Sequence, residues 1–335
     1  MIKRCIISGI LTLMVAVAGI SAVSDNAGNY HLQTGIGVTD GVHDSVIVIR
    51  VVRMPEASYL AVDPESLTTA LYPQRSLSFT PASWKEILRR FARTPYVSAL
   101  LRSADSADAI QDAGFKRFHP PGGDGVELTI DLCPSRKPLD RIVFTDLVEA
   151  LGAVERPIPV GISITGRWMN DHGGDLDWLD SLDRAGSLSI LWINHTYNHF
   201  TSKELPLREN FILEKGTDVS AEVLRTEQAL LERGLMPSVF FRFPGLVSDS
   251  AVFDTILDFG LIPVGSDAWL AKGEVPRDGS IVLIHANGNE PLGVKDFIKL
   301  LEKEQPQAAA KKWKLFNLRT AVIADETGRR RGAGK

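Results

Sequence analysis

The sequence predicts an α/β fold in which a parallel sheet is covered by helices, either as an α/β barrel or as a doubly wound sheet. Three observations predict it. From Val126 onward, short runs that are apolar on both sides alternate with amphipathic helical stretches. Of the 335 residues, 44% are hydrophobic and 23% charged, a balance that supports a full-sized core and excludes disorder as the main state. The reactive polar residues that break the apolar runs fall near the ends of those runs.

The elements follow in chain order. Lys3 and Arg4 precede a nearly uncharged stretch from Ile6 to Val23, and then come Ala22-Val23-Ser24 and a polar segment from Asp25. This order reads as an export signal over residues 1–24, or as an uncleaved anchor, and places the working domain in the periplasm or outside the cell. Residues 25–120 form an N-terminal extension of unknown role. Within it Ser45–Val52 is a β-branched run that predicts a strand. Ser83–Phe91 predicts an amphipathic helix, with Trp84, Ile87, Leu88 and Phe91 at helical spacing. Pro120-Pro121-Gly122-Gly123 reads as a turn or linker that opens a domain over residues 121–305.

In that domain strands are expected at Val126–Cys133, Pro159–Thr165, Leu188–Asn194, Val239–Phe243, Leu261–Gly265 and Ile281–Ile284. Helices are expected at Leu139–Val154, Asp177–Ala185, Ser220–Leu235, Ser248–Phe259 and Val294–Glu304. Residues 306–335 form a C-terminal segment whose basic tail, Arg329-Arg330-Arg331-Gly332, reads as a frayed, solvated end.

Charge narrows the partners. Thirty-seven basic and 41 acidic side chains give a net charge of −4, so no overall positive field recruits nucleic acid. Two cysteines, Cys5 and Cys133, exclude a disulfide framework.

Asp131, Thr165, His195, Arg242, Asp267 and His285 each sit at or just after the end of a predicted strand. Parallel α/β folds gather the carboxyl ends of their strands on one face, so these six side chains should converge. His195-Thr196-Tyr197-Asn198-His199 spaces two imidazoles four residues apart, and one helical turn would let them share a metal ion. Asp131 lies inside an apolar segment, which suits a metal ligand, a general base, or a carboxylate receiving backbone N–H bonds. Arg242, among phenylalanines, is suited to orienting a carboxylate or to snorkelling outward. His285 reads as a general acid or as a core histidine.

As an ordered set, Thr129-Ile130-Asp131-Leu132-Cys133-Pro134, Thr165-Gly166-Arg167-Trp168, His195–His199, Arg242-Phe243-Pro244-Gly245, Asp267-Ala268-Trp269 and Leu283-Ile284-His285 resemble the motifs of the NodB-type polysaccharide deacetylases, the family 4 carbohydrate esterases. The resemblance spans about Val126 to Lys303. It implies a distorted (β/α) barrel that removes acetyl groups from an N-acetylated polysaccharide or oligosaccharide with a divalent metal, zinc or else cobalt or nickel. It also implies roles: His195 and His199 as metal ligands, Asp131 as base oriented by Arg242, and His285 as acid with its ring fixed by Asp267. Trp269, Tyr197 and Pro244 would contact substrate.

One position departs from the family pattern. The second of two adjacent aspartates, normally a metal ligand, is Leu132, and the following glycine is Cys133, read here as a small buried hydrophobe, with a soft zinc ligand as the alternative if the strand continues far enough to point it with Asp131. Three arrangements follow: Asp131 itself on the metal, a metal held by two histidines and water, or a barrel that binds glycan without turnover. Trp168, Trp178 and Trp192 are read as core residues rather than sugar platforms.

Overall fold

The computed structural model describes residues 29–39, 45–53, 56–118 and 123–333. The expected export segment and most of the Pro120–Gly123 linker lie outside them. No helix among the described residues is long and apolar enough to cross a membrane.

The N-terminal extension is a five-stranded antiparallel sheet followed by two helices. Its strands are β1 (Tyr30–Thr39), β2 (Ser45–Val52), β3 (Ser58–Val62), β4 (Thr69–Pro73) and β5 (Leu77–Pro81), in the spatial order β4-β3-β2-β1-β5. The helices are α1 (Trp84–Arg90), capped by Ser83, and α2 (Pro95–Ser103), capped by Thr94 with Pro95 in its first turn.

The second half alternates strand and helix. It runs β6 (Asp124–Leu132), α3 (Ile142–Leu151), β7 (Ile158–Ile164), α4 (Gly166–Asp171), α5 (Gly173–Arg184), β8 (Leu188–Asn194), α6 (Val219–Glu232), β9 (Pro237–Phe241) and α7 (Ser250–Asp258). It continues with β10 (Ile262–Pro263), β11 (Ala268–Trp269), β12 (Ile281–His285), α8 (Pro291–Ala309), β13 (Trp313–Leu315) and α9 (Leu318–Ala333). The order β10-β9-β8-β7-β6-β12-β11 is parallel at every pairing. Among the described residues β10 and β11 do not pair with each other, so the sheet is a distorted (β/α) barrel left open between its outermost strands.

Alternation along β6 separates core from interior. Leu128, Ile130 and Leu132 pack into one apolar cluster with Val143 and Phe144 of α3 and Ile162 and Ile164 of β7, while Thr129 and Asp131 take the opposite face. A second cluster joins the N-terminal sheet to the barrel, combining Ile47, Ile49, Leu60 and Tyr96 with Ile193, Phe240 and Ile281.

Within this seam Arg50 of β2 is fully buried and makes a two-pronged ion pair with Glu227 of α6, Nε to Oε2 at 2.8 Å and Nη2 to Oε1 at 2.9 Å. Tyr30 donates to the same carboxylate at 2.8 Å, and Arg50 Nη1 donates to the Phe259 carbonyl at 2.8 Å. The extension is therefore wired into the barrel.

The C-terminal segment is integral as well. β13 adds to the start of β6, pairing Trp313, Lys314 and Leu315 with Asp124, Gly125 and Val126. The basic tail, expected to fray, instead continues α9 to Ala333, and Arg329 pairs with Asp325 one turn earlier at 3.2 Å. Arg102 of α2 reaches Asp325 at 2.6 Å and Glu326 at 2.5 Å, so α9 is pinned to α2.

Removing one member of a buried ion pair strands the other charge, at a cost of about 3–5 kcal/mol. Arg50→Met should therefore lower the unfolding free energy measured in urea by an amount in that range, with a correspondingly lower midpoint, and adding Glu227→Leu should recover much of the loss. An Arg50→Met midpoint equal to that of the wild type would contradict the account.

Candidate active site

The strand register brings the reactive residues to one level. His285 of β12 stands beside Asp131 of β6, Asp131 beside Ser163 of β7, Ile164 beside Asn194 of β8, and Asn194 beside Phe241 of β9. His195 and Arg242 follow directly on the last two strands. Asp131, His195, Arg242 and His285 thus meet at the carboxyl ends of the parallel strands.

Arg242 is completely buried. Its Nη2 donates to Thr129 Oγ1 at 2.8 Å, and its Nη1 lies 3.8 Å from Asp131 Oδ1. Burial pulls its pKa down, and the nearby Asp131 carboxylate acts in the opposite direction. Its backbone carbonyl lies 2.8 Å from His195 Nδ1. A carbonyl only accepts, so Nδ1 carries the proton and Nε2 offers a lone pair. That Nε2 faces Cys133 Sγ at 3.5 Å and Asp131 Oδ2 at 3.6 Å.

His199 does not arrive by a helical turn, as the four-residue spacing predicts. Residues 195–200 form a loop, with Thr196 at φ 68° and His199 at φ 48° in the left-handed region. The loop is tied down by Gly166 N–H to the Thr196 carbonyl, Arg167 N–H to the Tyr197 carbonyl, and Asn198 N–H to Glu222 Oε2. The two imidazole rings still end 4.8 Å apart. A donor atom from each of Cys133, His195 and His199 lies within 4.8 Å of the other two. His199 Nε2, Asp131 Oδ1 and the Nε and Nη1 of Arg242 are buried without a hydrogen-bond partner among the described residues. Such atoms are costly unless a ligand engages them.

Cys133 is thus buried, as the sequence suggests, but beside the two imidazoles of the loop. β6 ends at Leu132, and the Asn287 side chain holds the Cys133 carbonyl at 2.8 Å as the chain turns toward Pro134. Burial raises the thiol pKa, but the His199, His285 and His195 rings outweigh it and hold the thiol well below its usual value. Leu132, where the family pattern has a metal-binding aspartate, is fully buried in the core beneath α3.

His285 has a different partner from the one expected. Its Nδ1 lies 2.8 Å from Glu290 Oε2, off the ideal hydrogen-bond line, and Trp269 Nε1 donates to the same oxygen at 2.8 Å. The Trp269 ring sits 5.6 Å from the His285 ring. Asp267 is engaged elsewhere, with Arg117 at 2.5 Å and Arg277 at 3.5 Å. Burial alone lowers the His285 pKa, yet the Cys133 sulfur and the Glu290 and Asp131 carboxylates lift it well above the ordinary imidazole value. Glu290 is correspondingly held low by His285 and Trp269 against the effect of its own burial.

Two expected substrate contacts divide. Pro244, with Thr196, Asn198, His199, Phe211 and Arg225, lines a cavity of about 460 Å³ next to the histidine loop. Tyr197 does not line it. Its ring lies against Gly166, where a Cβ would stand 2.0 Å from Cδ2, and beneath the Arg225 guanidinium, while its hydroxyl accepts from Asn170 at 2.8 Å. Thr165 caps α4 rather than facing the cluster. Trp168 and Trp192 are buried and Trp178 packs against the core.

No family model matches the chain. Among solved structures it is similar to a family 4 carbohydrate esterase from Bacillus anthracis, at 16% identity and TM-score 0.47 over 68% of this chain and 92% of that one. A pseudoenzyme of the same family from Bacillus anthracis matches at 16% identity and TM-score 0.43, over 63% and 69%. The chitin deacetylase of Colletotrichum lindemuthianum matches at 16% and 0.40, over 61% and 89%. With all three TM-scores below 0.5, the functional reading stands on the site's own geometry.

Because Leu132 points into the core, Leu132→Asp should place a carboxylate there. The expected result is a loss on the order of 4 kcal/mol in chemical denaturation with no gain in cation affinity by calorimetry. Tighter cation binding with unchanged stability would show that position 132 faces the site.

Proposed function

We propose that the chain is an exported, cation-dependent hydrolase that removes acetyl groups from an N-acetylated polysaccharide. The observation that carries this reading is the meeting of a carboxylate opposed by arginine, two closely spaced imidazoles and a third, carboxylate-backed imidazole at one end of the barrel. Amide hydrolysis asks for these parts: a base for the attacking water, an electrophile at the carbonyl and an acid for the departing amine.

His195 and His199 are suited to hold a divalent cation, zinc by the chemistry of the donors, with cobalt or nickel as substitutes. When bound, such an ion supplies polarisation of the acetyl carbonyl and acidifies a water. Asp131 takes the proton of the attacking water. Arg242, fixed by Thr129, stands opposite that carboxylate and orients it. His285 delivers a proton to the amine, and Glu290 holds its ring and stabilises the imidazolium. Trp269 gives the acetyl or sugar group an apolar wall beside His285. Residues 1–24 direct the chain out of the cytoplasm in this reading, so a recovered periplasmic or secreted form should begin near Asp25 on N-terminal sequencing.

The test is acetate release from N-acetylated chito-oligosaccharides and peptidoglycan fragments by metal-stripped and zinc-reloaded protein. Activity is expected only after reloading, with Asp131→Asn and His195→Ala each lowering kcat/KM at least about 100-fold. Binding of these glycans without acetate release under any added metal would instead establish a non-catalytic carbohydrate-binding barrel.

A pH profile tests the acid. Protonated His285 is the competent form, so activity should fall as pH rises through its raised pKa. Glu290→Gln removes a charge that favours the imidazolium, and the alkaline limb should move to lower pH by on the order of one unit. An unmoved limb would exclude Glu290 as the group that positions and tunes His285.

A further inference from the structure

We infer that Cys133 is the third protein ligand of the cation, making a thiolate–bis-imidazole site in which sulfur stands in for the carboxylate that Leu132 cannot provide. This rests on the cation-dependent reading of the same cluster and names the donor which that reading leaves open.

Three observations carry it. Cys133 Sγ lies 3.5 Å from His195 Nε2, and both lie within 4.8 Å of a ring nitrogen of His199. Tetrahedral zinc with metal–sulfur near 2.3 Å and metal–nitrogen near 2.0–2.1 Å separates sulfur from nitrogen by about 3.5 Å. The Cys133–His195 pair is therefore already at the spacing of a coordination edge. His195 is locked by the Arg242 carbonyl with its Nε2 lone pair toward the sulfur, and His199 Nε2 is buried with no partner among the described residues. Asp131 Oδ2 is 3.6 Å from His195 Nε2 but is not part of the mutually close set, which leaves it free to act on a water beside the ion.

The consequence is selectivity. A thiolate with two imidazoles favours zinc and cobalt, whereas magnesium, calcium and manganese prefer all-oxygen sites. A three-residue set also leaves a tetrahedral ion one open position, as in catalytic rather than structural zinc sites.

The experiment uses the full chain carrying Cys5→Ser, so that Cys133 is the sole thiol, titrated with cobalt(II) and followed by absorption spectroscopy. The expected result is about one ion per chain, visible d–d bands of tetrahedral intensity and a near-ultraviolet sulfur-to-cobalt charge-transfer band. Adding Cys133→Ser should abolish the charge-transfer band and weaken binding at least about tenfold, while His195→Ala should weaken binding with the fold intact by circular dichroism. A hundredfold excess of magnesium should leave the band unchanged. Cobalt bound without the charge-transfer band would overturn the cysteine assignment and leave the hydrolase reading standing. Absence of cobalt binding by folded protein would also overturn the assignment. Acetate release, measured separately, decides the hydrolase reading.

Discussion

A fully buried guanidinium organises the site. Arg242 has no route to solvent, and a cation in that position is tolerable only if polar groups and a countercharge surround it. Thr129 and Asp131, two residues apart on one face of β6, supply them, while the Arg242 backbone carbonyl sets the tautomer of His195. One residue thereby orients the carboxylate, ties the end of β9 to β6 across the barrel interior and turns the His195 Nε2 lone pair toward Asp131 and Cys133. The parallel sheet makes this possible, because its strands end at the same level and β6, β8, β9 and β12 bring Asp131, His195, Arg242 and His285 to the rim.

Much of this was legible in the sequence. Each expected barrel strand has a counterpart, and Asp131, His195, Arg242 and His285 meet as strand-end placement implies. The misreadings share a physical character. Strand alternation gives the Cys133 thiol no direction once the strand ends, and the Asn287 side chain, distant in sequence, holds the Cys133 carbonyl where the chain turns. Glu290 carries no local signal, because it belongs to the loop leading into α8, five residues past His285, whereas Asp267 occupies a strand-adjacent position that local reasoning favours. The histidine loop resembles a helical turn in sequence because a four-residue spacing does not reveal left-handed backbone at Thr196 and His199.

The N-terminal sheet was the least legible part, and its glycines show why. Gly35 and Gly37 in β1 serve a contact that is distant in sequence, allowing β5 to pack closely: a Cβ at Gly35 would stand 2.2 Å from the Phe79 ring, and one at Gly37 2.5 Å from the Leu77 side chain. Arg50 lay hidden in a β-branched run for a related reason. Its partner Glu227 is 177 residues away, and nothing local announces a buried ion pair of that span.

The central claim is that these strand-end groups enclose one cation between the imidazoles and the carboxylate. Crystals of the protein soaked in zinc and measured at the zinc absorption edge test it most directly. The account predicts a single strong anomalous peak within coordination distance of His195 and His199, on the side facing Asp131. A peak bound elsewhere, with none at this cluster, would contradict it.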